Sequence, residues 1–299
     1  MMQALADRID RQLSAEVQPP VTQFAARLAD ESGASAVLFY GSNLRTGSLE
    51  GVLDYYVLLP GEQRERIWPR VSYREWEHAG EVLRAKIATM AMGTFAEAAR
   101  GELLDTTIWA RFVQPSALVW SRDEHARAAA VSAISGAAQC AARLAVALGP
   151  PRGTAEEYWR ALFRATYQAE FRVEKPGRED SILQVNAVHF DGLLPLALDA
   201  QGIAYANEAG QIAPQMAEVE RKRVLAWWKR RRRMGKPLNI LRLVKASTTF
   251  DGAARYAAWK IERHTGVPVE VTPWREKHPV LAAPGVLFSL WRERRKRDA

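Results

Sequence analysis

A glycine bend and one acid are the residues of this chain best suited to chemistry. Gly41, Ser42 and Asn43 follow directly on Ala36-Val37-Leu38-Phe39-Tyr40, and Asp54 stands near the head of Leu53-Asp54-Tyr55-Tyr56-Val57-Leu58-Leu59. Glycine lets backbone N–H groups turn toward a ligand, and the adjacent hydroxyl and amide add contacts, a combination that suits phosphate. A lone carboxylate among aromatic and aliphatic side chains needs a counter-charge. Mg²⁺ would supply one, because it takes one or two carboxylates and leaves its other positions to phosphate oxygens and water. The same aspartate at a strand start would equally face solvent or cap a turn.

Other polar residues lie where they could join such a site. Lys86 would suit a triphosphate or would sit solvated on a helix. Arg111, inside an apolar stretch, would clamp a phosphate with two N–H groups or pair with a structural carboxylate. Glu170 and Arg172 could form a cross-strand ion pair within a hairpin. Glu50, four residues before Asp54, is a candidate second acid. Lys245 and Ser247 precede a helix start, which favours anions.

The elements that must position these groups follow from pattern. The runs 36–40 and 53–59 read as buried strands. Residues 3–31 read as helix broken at Pro19-Pro20, 76–92 as helix, 94–104 as helix, and 106–112 and 117–120 as strands. A long alanine-rich helix spans 123–148, and Thr154 with Glu157 forms a capping box for the next. Residues 167–173 and 181–185 read as a β-hairpin carrying Glu170 and Arg172, and the region from 192 to 215 as loop-rich. Residues 218–234 read as a basic helix, 238–244 as a short strand, and 253–264 as the helix behind Lys245 and Ser247.

With these pieces in order, the chain resembles the polymerase-β-type nucleotidyltransferases. Within that superfamily it is similar to the mitochondrial translocator-assembly-and-maintenance type of phosphatidate cytidylyltransferase. Tyr40-Gly41-Ser42 and Leu53-Asp54-Tyr55 carry the likeness, supported by Lys86, by Arg111 with Pro115, by Glu170 with Arg172, and by Lys245 with Ser247. The superfamily's usual second carboxylate, two residues after the first, is replaced here by Tyr56. The resemblance implies an α+β fold: a mixed nucleotidyltransferase sheet with helices over 1–122, a mostly helical, winged-helix-like domain over 123–235, and a C-terminal region over 236–299 with a basic amphipathic tail. It implies transfer of CMP from CTP to phosphatidic acid, giving CDP-diacylglycerol and pyrophosphate in phospholipid biosynthesis. Asp54 and Glu170 would be catalytic and hold Mg²⁺. Gly41, Ser42, Asn43, Lys86, Arg111, Arg172, Lys245 and Ser247 would hold the nucleotide.

Composition bounds the alternatives. At 299 residues and 48% hydrophobic, the chain can bury a large core. Its one cysteine, Cys140, has no disulfide partner and sits among alanines as a small core residue, and five scattered histidines show no zinc spacing. The opening MMQALADRIDRQL contains acids and no apolar run of signal length, which argues for a cytoplasmic protein, and no uninterrupted apolar stretch reaches spanning length.

The net charge of +8 is concentrated. Residues 221–236 hold nine basic residues and no acid, and 291–299 hold five basic and two acidic, so the remainder is net −4. Trp227, Trp228, Arg230 and Arg231 in the first patch, and Phe288, Trp291, Arg294 and Arg295 in the second, suit an anionic membrane surface, with tryptophan at headgroup level and arginine on phosphate. The protein would then sit peripherally on the inner face of the cytoplasmic membrane. A helix solvated on one face, or an RNA-binding patch serving a nucleotidyltransferase with an RNA or other soluble acceptor, fits the same residues. A non-catalytic scaffold is a third reading, motivated by Tyr56.

Overall fold

Five apolar residues in a row, Ala36 to Tyr40, leave no polar face to solvate, so this strand lies at the interior of a sheet with both faces covered. The computed structural model describes residues 2–169 and 178–277, together with 282 and 285. In chain order the elements are α1 (Met2–Leu13), α2 (Pro19–Ser32), β1 (Ala36–Tyr40), α3 (Ser42–Thr46), β2 (Leu53–Leu59), β3 (Arg70–His78), β4 (Glu81–Ala91), α4 (Met92–Ala99), α5 (Thr107–Phe112) and β5 (Ser116–Ser121). Then come α6 (Glu124–Leu148), α7 (Ala155–Ala169), α8 (Arg178–Val185), α9 (Ala187–Phe190), α10 (Leu193–Asp199), β6 (Tyr205–Glu208), β7 (Gln211–Pro214), α11 (Glu218–Thr249), α12 (Ala253–Thr265) and α13 (Pro273–Lys277). The protein is α+β.

The sheet order is β3-β4-β2-β1-β5. β2 and β4 run parallel and every other pair is antiparallel. One face, built from Val37, Phe39, Tyr55, Val57, Ala85 and Ile87, packs on Phe24, Ala25 and Leu28 of α2. The opposite face, with Leu38, Tyr40, Tyr56, Leu58, Ala88 and Met90, packs on α1, α4, α5 and α6. That core continues without a break into α7, α10 and α11. α6 is apolar and long enough to cross a membrane, yet 78% of that window is buried inside the protein. Its alanines let neighbouring helices approach closely, and its N-terminus is capped by Asp123, whose Oδ1 accepts from the Ala126 N–H at 2.7 Å.

Several expected elements differ. Residues 76–92 form a hairpin of β3 and β4 rather than a helix. Ala79 and Gly80, at φ 50 and 83, make the two-residue turn with both residues left-handed that matches strand twist. The same Ala-Gly device, at φ 50 and 79, turns β6 into β7 within the region expected to be loop. Residues 107–112, expected as strand, are helical, started by Asp105, whose Oδ2 accepts from the N–H and hydroxyl of Thr107.

The expected β-hairpin is replaced by helix on both sides, since α7 runs to Ala169 and α8 covers 181–185; residues 170–177 lie outside the described residues. The strand expected at 238–244 is the continuation of α11, which passes through Pro237 and across the division expected at 235/236. Tertiary anchors hold that half of the helix in place. Arg242 donates to the Trp68 carbonyl at 2.8 Å and pairs with buried Asp105 at 2.6 Å, and Lys245 donates to the Ile67 carbonyl.

Candidate functional site

Register brings one residue from each strand into a row on the helix-covered face. Ser116 faces Tyr40, Tyr40 faces Asp54, Asp54 faces Lys86, and Lys86 faces Tyr73. The row lies where β1 ends, so its centre adjoins the Gly41 bend. Gly41 has φ 94 and ψ −161, a conformation essentially reserved for glycine. A Cβ built there would lie 3.1 Å from Asp54 Oδ2, so bend and acid touch.

The bend continues into α3. Ser42 is exposed, with its hydroxyl 3.4 Å from Asn43 Oδ1. Asn43 is buried, and its Nδ2 donates to the carbonyls of Ser48 and Glu50, each at 2.8 Å. Asn43, expected to contact nucleotide, therefore pins the loop between α3 and β2 and sets the path by which Asp54 arrives.

Among the described residues the charged side chains acting on Asp54 are both positive. Lys86 and Arg111 both act on it electrostatically, and burial pushes its carboxyl above the usual range against their pull. Burial also lowers the Lys86 ammonium; Asp54 opposes that, while Arg111 and Lys260 add to it by repulsion. Among the described residues no ion pair closes between Asp54 and Lys86. Arg111, on α5 rather than a strand, donates from Nη1 to the Tyr40 hydroxyl at 3.0 Å and lies 5.2 Å from that ring's centroid. Lys86 is on β4, not on a helix, and reaches the row through parallel pairing with β2.

The position two residues after Asp54 is closed to ligands. Tyr56 is 2% exposed and packed against Tyr40, Phe95 and Phe112. Glu50 is exposed, and its carbonyl serves Asn43. Among the described residues no group of three histidine, cysteine or acidic side chains could hold a metal. Asp54 could give a Mg²⁺ ion one carboxylate, with phosphate oxygens and water in the other positions, while Lys86 and Arg111 act on the same carboxylate. Glu170 and Arg172 lie outside the described residues.

Other expected contacts fall elsewhere. Lys245 is turned to the Ile67 carbonyl, and Ser247 lies within α11 rather than in a turn before a helix. The turn before α12 is Phe250-Asp251-Gly252.

The tryptophans of the basic helix, expected at a membrane surface, are turned inward, Trp228 buried and Trp227 half-buried against the core. Trp228 is 4% exposed and edge-on to Trp109, and Trp227 donates to the Gly101 carbonyl at 3.1 Å. Arg231 is buried as well, donating to Gly101 at 2.6 Å and Leu103 at 3.0 Å with its guanidinium 4.0 Å from the Trp227 centroid. Arg230 remains exposed, with Lys229, Arg232, Arg233 and Lys236. Phe288, Trp291, Arg294 and Arg295 lie outside the described residues.

Sequence reasoning missed Lys260 and Arg263 of α12, which approach the row from the β3 side. Their signal is two cations three residues apart, and so on one helix face, after the Gly252 turn. No family model matches the chain, and no curated protein matches it either.

Proposed function

We propose that this chain is a nucleotidyltransferase that holds the phosphates of a nucleoside triphosphate at the corner formed by Gly41, Ser42, Asp54, Lys86 and Arg111. The contact between the glycine bend and Asp54, inside a field set by two cations, carries this reading. A bend open to a ligand, one exposed hydroxyl and partly buried cations suit a chain of phosphates better than a neutral substrate. The reaction that the resemblance implies is attack by a phosphate oxygen of phosphatidic acid on the α-phosphorus of CTP. A new P–O bond forms, the bond to the β-phosphate breaks, and pyrophosphate leaves.

In that reaction Lys86 and Arg111 stabilise the charge that develops on the departing pyrophosphate. Asp54 keeps the two cations from repelling one another and fixes their place beside the bend. Asp54 is the described residue that would hold Mg²⁺, which when bound would add positive charge beside the phosphates. A lipid acceptor is supported by the outward side of α11, where Lys229, Arg230, Arg233 and Lys236 are followed by exposed Ile240 and Leu241.

The test is purified protein with labelled CTP and phosphatidic acid vesicles, with and without Mg²⁺, for wild type, Asp54→Ala and Lys86→Ala. Label in the lipid, lost in both variants, is the expected result. Absence of lipid label and of pyrophosphate from wild type in both metal conditions overturns the lipid reading, and label moving instead to an added RNA reassigns the acceptor.

A further inference from the structure

α12 places two more cations toward this corner. The helix is fastened to the edge strand β3: the Tyr73 N–H donates to the Asp251 carbonyl at 2.8 Å, and Arg74 pairs with Asp251 at 2.7 Å. The Gly252 backbone comes so close that an added Cβ would lie 2.6 Å from the Tyr73 carbonyl oxygen. Tyr73 then packs on Tyr256, ring centroids 5.4 Å apart. Tyr73 is the row's partner of Lys86, so this packing sets α12 over the end of the row that Lys86 occupies.

Lys260, one turn beyond Tyr256, has its ammonium 5.9 Å from that ring's centroid. Arg263 stacks on Trp259 at 5.3 Å and reaches the loop ahead of β2, where a Cβ on Gly51 would meet its Nη1 at 3.0 Å. Gly51, at φ 88, precedes Asp54 by three residues, so Arg263 meets the loop that leads into β2.

The two aromatic rings orient the cations without consuming their N–H donors. Among the described residues neither Lys260 nor Arg263 is paired with an acid. Lys86 and Arg111 act on Asp54, Lys260 acts on Lys86, and Arg263 reaches the loop ahead of β2, so four cations lie along this edge of the sheet. Cations spread along one edge raise the local potential over several ångströms, and a polyanion spans it where a single phosphate would meet only part of it.

We infer that Lys260 and Arg263 form the far half of a polyphosphate cradle, binding the terminal phosphates of a nucleoside triphosphate whose α-phosphate lies at Gly41 and Asp54. This rests on the corner being a phosphate site, and the experiment separates the two. Affinities for inorganic tripolyphosphate and for orthophosphate are measured by calorimetry at fixed ionic strength for wild type, Lys260→Ala, Arg263→Ala and the double variant. Lys222→Ala/Arg223→Ala, two exposed cations on the distant part of α11, controls for net charge.

Each charged hydrogen-bonding group lost is expected to weaken tripolyphosphate about tenfold, and the pair about a hundredfold, with orthophosphate and the control unchanged. Both side chains are exposed, and unchanged melting temperatures report an intact fold. Should a variant melt early, the slope of wild-type tripolyphosphate affinity against salt decides, since the cradle requires release of about four counterions and the corner alone about two. A wild type that binds no tripolyphosphate sinks the corner itself. A wild type that binds it with the double variant within about threefold, or with the lower slope, sinks the role of α12 and leaves the corner standing.

Discussion

Replacing Gly41 by alanine tests the contact on which the site depends. The substitution has two separable costs. The first is conformational: φ 94 with ψ −161 lies outside the regions open to an L-residue, worth about 1–3 kcal/mol. The second is steric, because the new Cβ would sit 3.1 Å from Asp54 Oδ2 and push the carboxylate away from the bend. For a chain of 299 residues the first cost alone lowers the melting temperature by about 2–5 °C.

The steric part is isolated by a double-mutant cycle with Asp54→Ala, monitored by urea unfolding. Removing the carboxylate relieves the crowding, so Gly41→Ala and Asp54→Ala together should cost about 0.5–2 kcal/mol less than the sum of the singles. Gly47→Ala is the control: at φ 66 its Cβ would meet nothing within 4 Å, so its cycle with Asp54→Ala should be additive within about 0.5 kcal/mol. Gly41→Ala should also abolish tripolyphosphate binding, whereas Gly47→Ala should not. Equal coupling in the two cycles would show that Asp54 does not face the bend, and the corner would have to be abandoned.

Further outcomes follow from other contacts. His189 Nε2 lies 2.8 Å from the Val113 carbonyl, and burial lowers the imidazole to about 4. With its folded value below the unfolded one of about 6.5, its contribution is present above pH 6.5 and is lost as pH falls through 4. His189→Gln should therefore show a flatter stability profile across that window by urea titration, and identical profiles would remove the assignment. Arg231→Met leaves the Gly101 and Leu103 carbonyls without their donor and should cost about 2–4 kcal/mol in unfolding free energy; a loss below about 0.5 kcal/mol would contradict the packing described. Reversing Lys229, Arg230 and Arg233 to glutamate should weaken sedimentation with phosphatidic acid vesicles by more than about a hundredfold at low salt, given about 1 kcal/mol per cation near an anionic surface. Unchanged sedimentation would take the lipid surface away from α11.

What the sequence revealed tracks how local each determinant is. β1 and β2 were readable as runs with no polar face, α6 from its Asp123 start, and α7 from its capping box, in which the Thr154 N–H donates to Glu157 at 2.7 Å and the Glu157 N–H to Thr154 at 3.3 Å. The β3–β4 hairpin was hidden because its turn is Ala79-Gly80, without the asparagine or aspartate that usually announces one. Trp76, Leu83, Ile87 and Met90 meanwhile imitate helical spacing. Gly41 and Asp54 could be paired from sequence because β1 and β2 are neighbours along the chain. Lys86 was singled out for its charge, but its place beside Asp54 comes from a parallel pairing that no local pattern records. Trp227 and Trp228 misled for the same reason: composition suggested an interface, and the partners that bury them, Gly101 and Trp109, lie far away in sequence.

The aromatic seal around Tyr56 limits how this protein could be re-engineered. Writing an aspartate at residue 56 would reproduce the two-acid spacing on paper and place a charge among three rings, where it would either stay protonated or loosen α4 and α5. A designer seeking a divalent-ion centre should start from Lys86. It stands directly across the ladder from Asp54 and is half-buried where Tyr56 is sealed, so an acid there would gain a neighbour and keep some access to water.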